Sequence, residues 1–213
     1  MTGPRVVVCQ PIRGNMPASA HQSQVALFAA NWDVICGFSF VNNTYLDKAR
    51  NMCVEQAQKL EASHILWLDA DMAVPSDTIR RLLAHDREVV GGLYFQRQAP
   101  WNPVAWSLTE AENGQTDFEL LKDVPDSGLV RVDGIGTGCL LTTIDIYDRV
   151  GVPWFAATYG HDGDLYFLGE DVFLSFRLKQ LEIPVWLDCD LACGHVTDYT
   201  VTRADWERDK DLG

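Results

Sequence analysis

The chain has no run of about 18 apolar residues, so an ordinary membrane-spanning helix is not expected. Its opening, MTGPR, has no apolar segment behind a basic start, and a secretory leader is not expected there. No CxxC pair occurs among the six cysteines, Cys9, Cys36, Cys53, Cys139, Cys189 and Cys193. The spacing of Cys189 and Cys193 alone is a weak zinc signal, and buried free thiols in a reducing compartment are the expectation. Positive charge is scarce as well: 17 Lys and Arg against 30 Asp and Glu leave a net charge of −13. That balance works against affinity built on long contact with nucleic-acid phosphates. It suits cations, and a bound metal lets an acidic site accept a phosphorylated ligand. Repeats and low-complexity segments are absent, and only the tail RADWERDKDLG is expected to be disordered.

What is present suffices for one well-buried domain: 213 residues, 47% apolar and 22% charged. RVVVCQPI (5–12), DVICGFSF (33–40), HILWL (64–68) and EVVGGLYF (88–95) read as strands. Between them lie a helix-like stretch ending near Trp32, the amphipathic YLDKARNMCVEQAQKL (45–60) and PSDTIRRLLAHD (75–86). This alternation predicts an α/β domain with a mostly parallel central sheet and helices on both faces. Beyond residue 100 the pattern turns irregular. NPVAWSL (102–108) and LVRVDGI (129–135) are short strand candidates flanking a polar turn, EAENGQTD (110–117). A helix returns at EDVFLSFRLKQLE (170–182), followed by a strand PVWLDC (184–189).

The stretch HILWLDADMAVPSD (64–77) carries the functional question. Ile65 to Leu68 read as a strand buried on both faces, and it ends in Asp69 and Asp71. Burying a carboxylate costs several kcal/mol unless it is paired or bound to metal. Two of them at one strand mouth repel each other, which points to a cation. The plainer alternative is a solvated strand end whose aspartates cap the next helix. In open α/β sheets ligands sit outside the C-terminal ends of the strands, where this pair falls.

A buried strand ending in Asp-x-Asp, a helix, VVGGLY, the Gly-rich GTGCLL, GED opening a helix, and a late GH follow one another in that order. Over about residues 5 to 200 this resembles a GT-A glycosyltransferase of the small, family-2-like kind found in bacteria and phages. The resemblance implies a single GT-A-like, Rossmann-related domain. About 1–100 would be the nucleotide-sugar-binding half, about 101–200 the acceptor half, and 201–213 a tail. It implies transfer of a sugar from a nucleotide-diphosphate sugar, UDP-linked first of all, to a hydroxyl acceptor with Mn2+ or Mg2+. The metal would neutralise charge on the departing diphosphate. Asp71 is then a metal ligand, with Asp69 on the donor ribose or a metal-bound water, and His195 a further ligand from the far end of the chain.

The same resemblance assigns Asp171 as the base that deprotonates the acceptor in an inverting reaction, with Glu170 second; an acidic cap on a helix start is the other reading. Arg50 and Asn51 would lie near the donor's base or phosphates, or else on a solvated helix face. Arg97 would meet the diphosphate, or pack beside Tyr94 and Phe95. Gly136 and Gly138 would lie under the donor sugar, or else mark a bulged strand. Trp154, Tyr159 and Tyr166 are candidates for an acceptor wall, with Trp101 and Trp106 behind them, whereas His21, His64, His85 and His161 read as structural. The acceptor is a glycan, a small molecule or a hydroxymethylated DNA base, the charge counting against DNA. The compartment implied is the cytosol of a bacterium or a phage-infected host. Two alternatives stay open, a non-catalytic nucleotide-sugar or glycan-binding module and a sugar nucleotidyltransferase, although PIRGNMPAS matches the Gly-rich basic loop of the latter poorly.

Overall fold

The computed structural model describes residues 3–12, 14–110, 116–161, 165–197 and 200–209. In chain order its elements are β1 (Val6–Ile12), α1 (Ala18–Ala30), β2 (Ile35–Asn42), α2 (Leu46–Lys59), β3 (His64–Leu68), β4 (Met72–Ala73), α3 (Thr78–Ala84) and β5 (Val89–Leu93). The second half adds β6 (Ala105–Glu110), β7 (Thr116–Leu120), β8 (Leu129–Val132), β9 (Gly134–Ile135), β10 (Cys139–Thr143) and α4 (Asp145–Val150). It closes with β11 (Thr158–His161), β12 (Leu165–Leu168), α5 (Glu170–Gln180), β13 (Val185–Ala192), β14 (Gly194–Val196), β15 (Thr200–Val201) and α6 (Arg203–Asp209).

The central sheet runs β2-β1-β3-β10-β5-β13-β8. β1 pairs in parallel with β2 and β3, and β5 with β13, whereas β10 and β8 run antiparallel to their neighbours. The sheet is therefore mostly parallel. Period-two alternation sorts its side chains onto two faces. Val7, Cys9, Ile65 and Trp67 share a core with Cys53 and Ala57 of α2 and Leu174 and Leu178 of α5. Val6, Val8, Leu66 and Leu68 pack with Leu27 of α1 and with Ile79 and Leu82 of α3. Both faces are covered, which is why these strands read as unbroken apolar runs.

Two smaller sheets adjust the expected plan. LVRVDGI does not form one strand: β8 joins the central sheet and β9 pairs with β6, the break falling at Asp133. A three-stranded sheet, β15-β14-β4, ties the chain's end to the segment just after the Asp-x-Asp. The tail also departs from expectation, because residues 203–209 form α6. Asp205 in its first turn ties down the residue before the helix: the Thr202 backbone N–H and hydroxyl donate to the Asp205 carboxylate at 2.9 and 2.8 Å. Trp206 is buried and stacks on Phe95 with ring centroids 5.5 Å apart. One large aromatic buried against the core outweighs the polar composition of its neighbours. All six cysteines are free thiols. Among the described residues no helix is long and apolar enough to cross a membrane.

Candidate active site

The Asp-x-Asp loop is held from three directions. The Asp69 N–H extends the β3–β10 ladder by donating to Gly138 O at 3.0 Å, and the Met72 N–H turns back onto Asp69 O at 3.1 Å. Buried Gln24 of α1 donates to Asp69 O and Met72 O at 3.0 and 2.9 Å, and its own amide oxygen accepts from Gln10 at 2.7 Å. From the far end of the chain, β14 lays His195 opposite Met72, and the Val196 N–H donates to Asp71 O at 2.8 Å. Buried backbone groups need such partners, and satisfying them here fixes both aspartates relative to His195. Gln10 and Gln24 went unnoticed in the sequence, where a lone glutamine carries no pattern.

At Asp71 three groups meet. Arg97 Nη1 lies 2.9 Å from Asp71 Oδ2, and His195 Nε2 lies 3.5 Å from the same oxygen. His195 Nδ1 is 2.9 Å from Phe95 O. A carbonyl can only accept, so Nδ1 carries a proton; Nε2 faces Asp71, and when it too is protonated it donates to that carboxylate. Burial pushes the Asp71 carboxyl up, but His195 and Arg97 outweigh it and hold it below the ordinary carboxylate value. A carboxylate oxygen beside an imidazole nitrogen, with the other ring nitrogen tied to a carbonyl, is a donor set that fits a divalent metal. Among the described residues no group of three or more His, Cys, Asp or Glu side chains is placed to hold a metal ion. Any ion here would therefore draw its remaining ligands from substrate or water.

Asp69 belongs to a different network. Arg50 Nη2 donates to Asp69 Oδ1 at 3.1 Å and Arg50 Nε to Glu170 Oε1 at 3.0 Å. The guanidinium is buried, 5.6 Å above the Trp67 ring and 6.0 Å from that of Phe155. Burial disfavours its charge, yet Asp69, Glu170 and Asp171 outweigh that, and Arg50 holds its proton more tightly than a free arginine. Asp171, in the first turn of α5, accepts from the Val172 N–H at 2.8 Å. Desolvation and the Glu170 charge push the Asp171 carboxyl up to about 6, against the opposing pull of Arg50. Two adjacent carboxylates thus have different environments: Glu170 is bound to a guanidinium, and Asp171 is a weaker acid poised near neutrality.

Asp69, Asp71 and Arg97 line a cavity of about 620 Å³ at the C-terminal ends of β1 and β3, with Pro11, Leu46 and Val196 among its other walls. That volume suits a ligand of cofactor size. No protein-family model matches the chain, and no curated protein does so either. Solved structures do. A197 from STIV superposes with a TM-score of 0.66 at 14% identity, over 95% of this chain and 92% of that one. GalNAc-T7, solved with UDP, GalNAc and Mn2+, gives a TM-score of 0.52 at 13% identity over 98% of this chain. The chain has a GT-A-like fold. It spans 48% of the GalNAc-T7 chain, and identities this low establish the fold alone.

Within this GT-A-like fold several expected site residues have other tasks. Arg50 lies neither on a solvated helix face nor free for a diphosphate, since buried Glu170 and half-buried Asp69 both engage it. The Asn51 amide is spent on backbone: it donates to Asp47 O and Phe155 O and accepts from the Trp154 and Phe155 N–H groups. Gly136 and Gly138 make room for Tyr94, whose hydroxyl would stand 2.1 Å from a Cβ at Gly136 and 3.0 Å from one at Gly138. Their close approach is thus to the protein's own tyrosine, which accepts from the Gly138 N–H at 3.0 Å. Trp154 and Trp106 are buried, and Trp154 Nε1 donates to Tyr147 O at 2.7 Å, so neither forms an acceptor wall. Trp101 packs against the core. The side chains of Tyr159, Tyr166 and His161 lie outside those described. His85 pairs with Asp188 at 2.9 Å and His64 with Ser63 at 2.8 Å, both structural contacts.

Proposed function

We propose that this protein is a metal-dependent glycosyltransferase that moves a sugar from a nucleotide-diphosphate sugar to a hydroxyl acceptor with inversion. The observation that carries the reading is the 620 Å³ cavity at the strand ends, with Asp71 and Arg97 in its wall and the His195 imidazole behind Asp71. A plain solvated strand end has no use for that convergence. Asp71 and His195 would hold Mn2+ or Mg2+, which would offset the charge gathering on the diphosphate leaving group. Arg97, exposed on the cavity wall, would turn its planar donors to the diphosphate oxygens. Asp69 keeps one carboxylate oxygen toward Arg50 and lines the cavity, where it would meet the donor's ribose.

Asp171 would act as the base. The acceptor oxygen bonds to the anomeric carbon, the bond from that carbon to the diphosphate breaks, and the nucleoside diphosphate leaves with the electron pair. The acceptor's proton passes to the Asp171 carboxylate. A pKa of about 6 suits this: the group is ionised at neutral pH, yet more basic than an ordinary aspartate. GalNAc-T7 was solved with UDP, GalNAc and Mn2+, which makes UDP-sugars the first donors to try. Residues up to about 100 would take the donor and 101–200 the acceptor, a glycan, a small molecule or a modified DNA base. Five of the six thiols are buried, as fits the reducing cytosol of a bacterium or an infected host. The test is thermal melting with UDP, with and without Mn2+, followed by hydrolysis of UDP-sugars. Stabilisation by UDP that needs Mn2+, with sugar released, is expected; melting unchanged by any nucleoside diphosphate would overturn the reading.

A further inference from the structure

We propose that Arg50 is a positioning residue: one buried guanidinium that clamps Asp69, at the end of β3, to Glu170, at the start of α5, and so fixes where Asp171 stands against the donor. The inference rests on the transferase reading and assigns Arg50 a part in it that touches neither sugar nor diphosphate. Three observations carry it. Arg50 bridges two groups that lie 120 and 19 positions from it in the chain, Nε to Glu170 at 3.0 Å and Nη2 to Asp69 at 3.1 Å. These are the carboxylates that open the two segments on which donor and acceptor chemistry would meet. Next, its Nη1 is buried with no hydrogen-bond partner among the described residues. A buried cation with an idle donor is a poor way to stabilise a fold, and packed apolar side chains commonly do as well or better. Finally, the guanidinium is pinned over the rings of Trp67 and Phe155, the first on β3 itself, which leaves it little freedom to swing out to a ligand.

The clamp acts on Asp171 by geometry and by charge. Glu170 precedes Asp171 in the first turn of α5, so holding one side chain fixes the entry of the helix that carries the other. The charged and titratable groups acting on Asp171 are Glu170 on its own helix, Arg50 from α2 and Asp69 after β3, with the buried Tyr94 hydroxyl, after β5, also within electrostatic reach. Of these, Arg50 is the one that favours the ionised form of Asp171, and Glu170 and Asp69 oppose it. Loosening Arg50 therefore raises the pH at which the base loses its proton.

Arg50→Lys tests this, because an ammonium is a point charge that cannot bridge both carboxylates. With UDP-sugar and Mn2+ as probe, the variant should bind UDP within about 3-fold of wild type, while kcat for sugar release falls roughly 10- to 100-fold, as for a misplaced group. The acid limb of its pH profile should move above the wild-type position near 6. Glu170→Gln should lower kcat to the same extent but move the acid limb below the wild-type position, because the Glu170 charge that raises Asp171 is gone. The two substitutions together should cost little more turnover than either alone, since both open one bridge. Should Arg50→Lys fail to fold, Glu170→Gln carries the test, since Arg50 then keeps its pair with Asp69. Turnover and pH profile unchanged in a folded variant, or strictly additive losses, would overturn the clamp while wild-type activity upheld the transferase. Wild-type protein that neither binds UDP nor releases sugar would take down both.

Discussion

Arg50 and Arg97 each pair with one aspartate of the same Asp-x-Asp, yet the Arg50 side chain is 2% exposed and that of Arg97 is 56%. Their hydrogen bonds are of similar length, 3.1 and 2.9 Å. What differs is the solvent. The Arg50 guanidinium is screened little, and losing both Glu170 and Asp69 would strand its buried charge at a cost of about 3–5 kcal/mol. The exposed pair competes with water and salt and is worth about 0–1 kcal/mol. So the Asp69 side of the site is wired into the fold through Arg50 and Glu170. The Asp71 side holds a cation that a stronger one can replace. A site that must exchange donors while keeping a base in place has use for both.

The largest effect should come from the wired side. Asp171→Asn keeps the hydrogen bond from the Val172 N–H and removes the basic oxygen, so kcat should fall by about 10²–10⁴-fold with UDP binding intact. Wild-type turnover should itself fade as pH drops through about 6, because only the ionised form can take a proton. Stability should move the other way. In the folded state the Asp171 carboxyl sits above its ordinary value of 3.8, so the folded form binds the proton more tightly than the unfolded one. Its burial costs nothing at low pH, develops as pH rises from about 4 to 6, and is fully present above that. Asn removes the penalty, so at pH 7.5 the variant should be more stable than wild type by up to about 3 kcal/mol. Chemical denaturation at pH 4 and 7.5 measures it; a variant less stable at pH 7.5, or within a few-fold of wild-type turnover, would refute the assignment.

Next come the two groups on the exchangeable side. Asp71→Ala should abolish the part of UDP stabilisation that depends on Mn2+, and His195→Ala should weaken Mn2+ binding about 10-fold, as loss of a metal-site group commonly does. Calorimetric titration of Mn2+ into the UDP complex separates them. Equal metal affinity in His195→Ala and wild type would return His195 to a purely structural contact with Phe95.

The contrast between the two arginines also explains what the sequence disclosed. β1, β2, β3 and β5, the three helices of the first half, and the start of α5 were legible, because each rests on a local signal: β-branched runs, helical periodicity, or acidic residues at a helix start. The Asp-x-Asp was legible for the same reason, as two carboxylates ending an apolar strand. Arg50 was legible as a candidate beside the donor but not as a bridge, since its partners lie 19 and 120 positions away and α2 would look the same with that residue in water. Asn51, Gly136 and Gly138 were legible as special positions, but what makes them special is the 154–155 backbone and the Tyr94 ring, which no local pattern names. The tail misled for a related reason. Its composition is that of a disordered segment, and over residues 203–209 the docking of Trp206 on Phe95, with Arg203 held by Val124 O and Asp126, overrides it; residues 210–213 lie outside those described.

The smallest effect, and the sharpest test of the contrast, belongs to Arg97→Ala. Removing an exposed partner should change folding stability by less than about 1 kcal/mol. Its effects on ligands should carry opposite signs. With Mn2+ alone, Arg97 and the ion compete for Asp71, since Arg97 Nη1 already stands 2.9 Å from Oδ2. Taking it away should therefore tighten Mn2+ binding a few-fold, and the gain should shrink as added salt screens the exposed pair. With UDP present the guanidinium would have a second use on the diphosphate, so UDP affinity in the Mn2+ complex should drop. Paired calorimetric titrations of Mn2+, with and without saturating UDP, read both signs in one experiment. If Arg97→Ala weakened Mn2+ binding in the absence of nucleotide, Arg97 would be supporting the metal position rather than competing for it. A loss of several kcal/mol in folding stability would mean that the pair is wired as tightly as Arg50, and the division of the site into a fixed and an exchangeable side would fall.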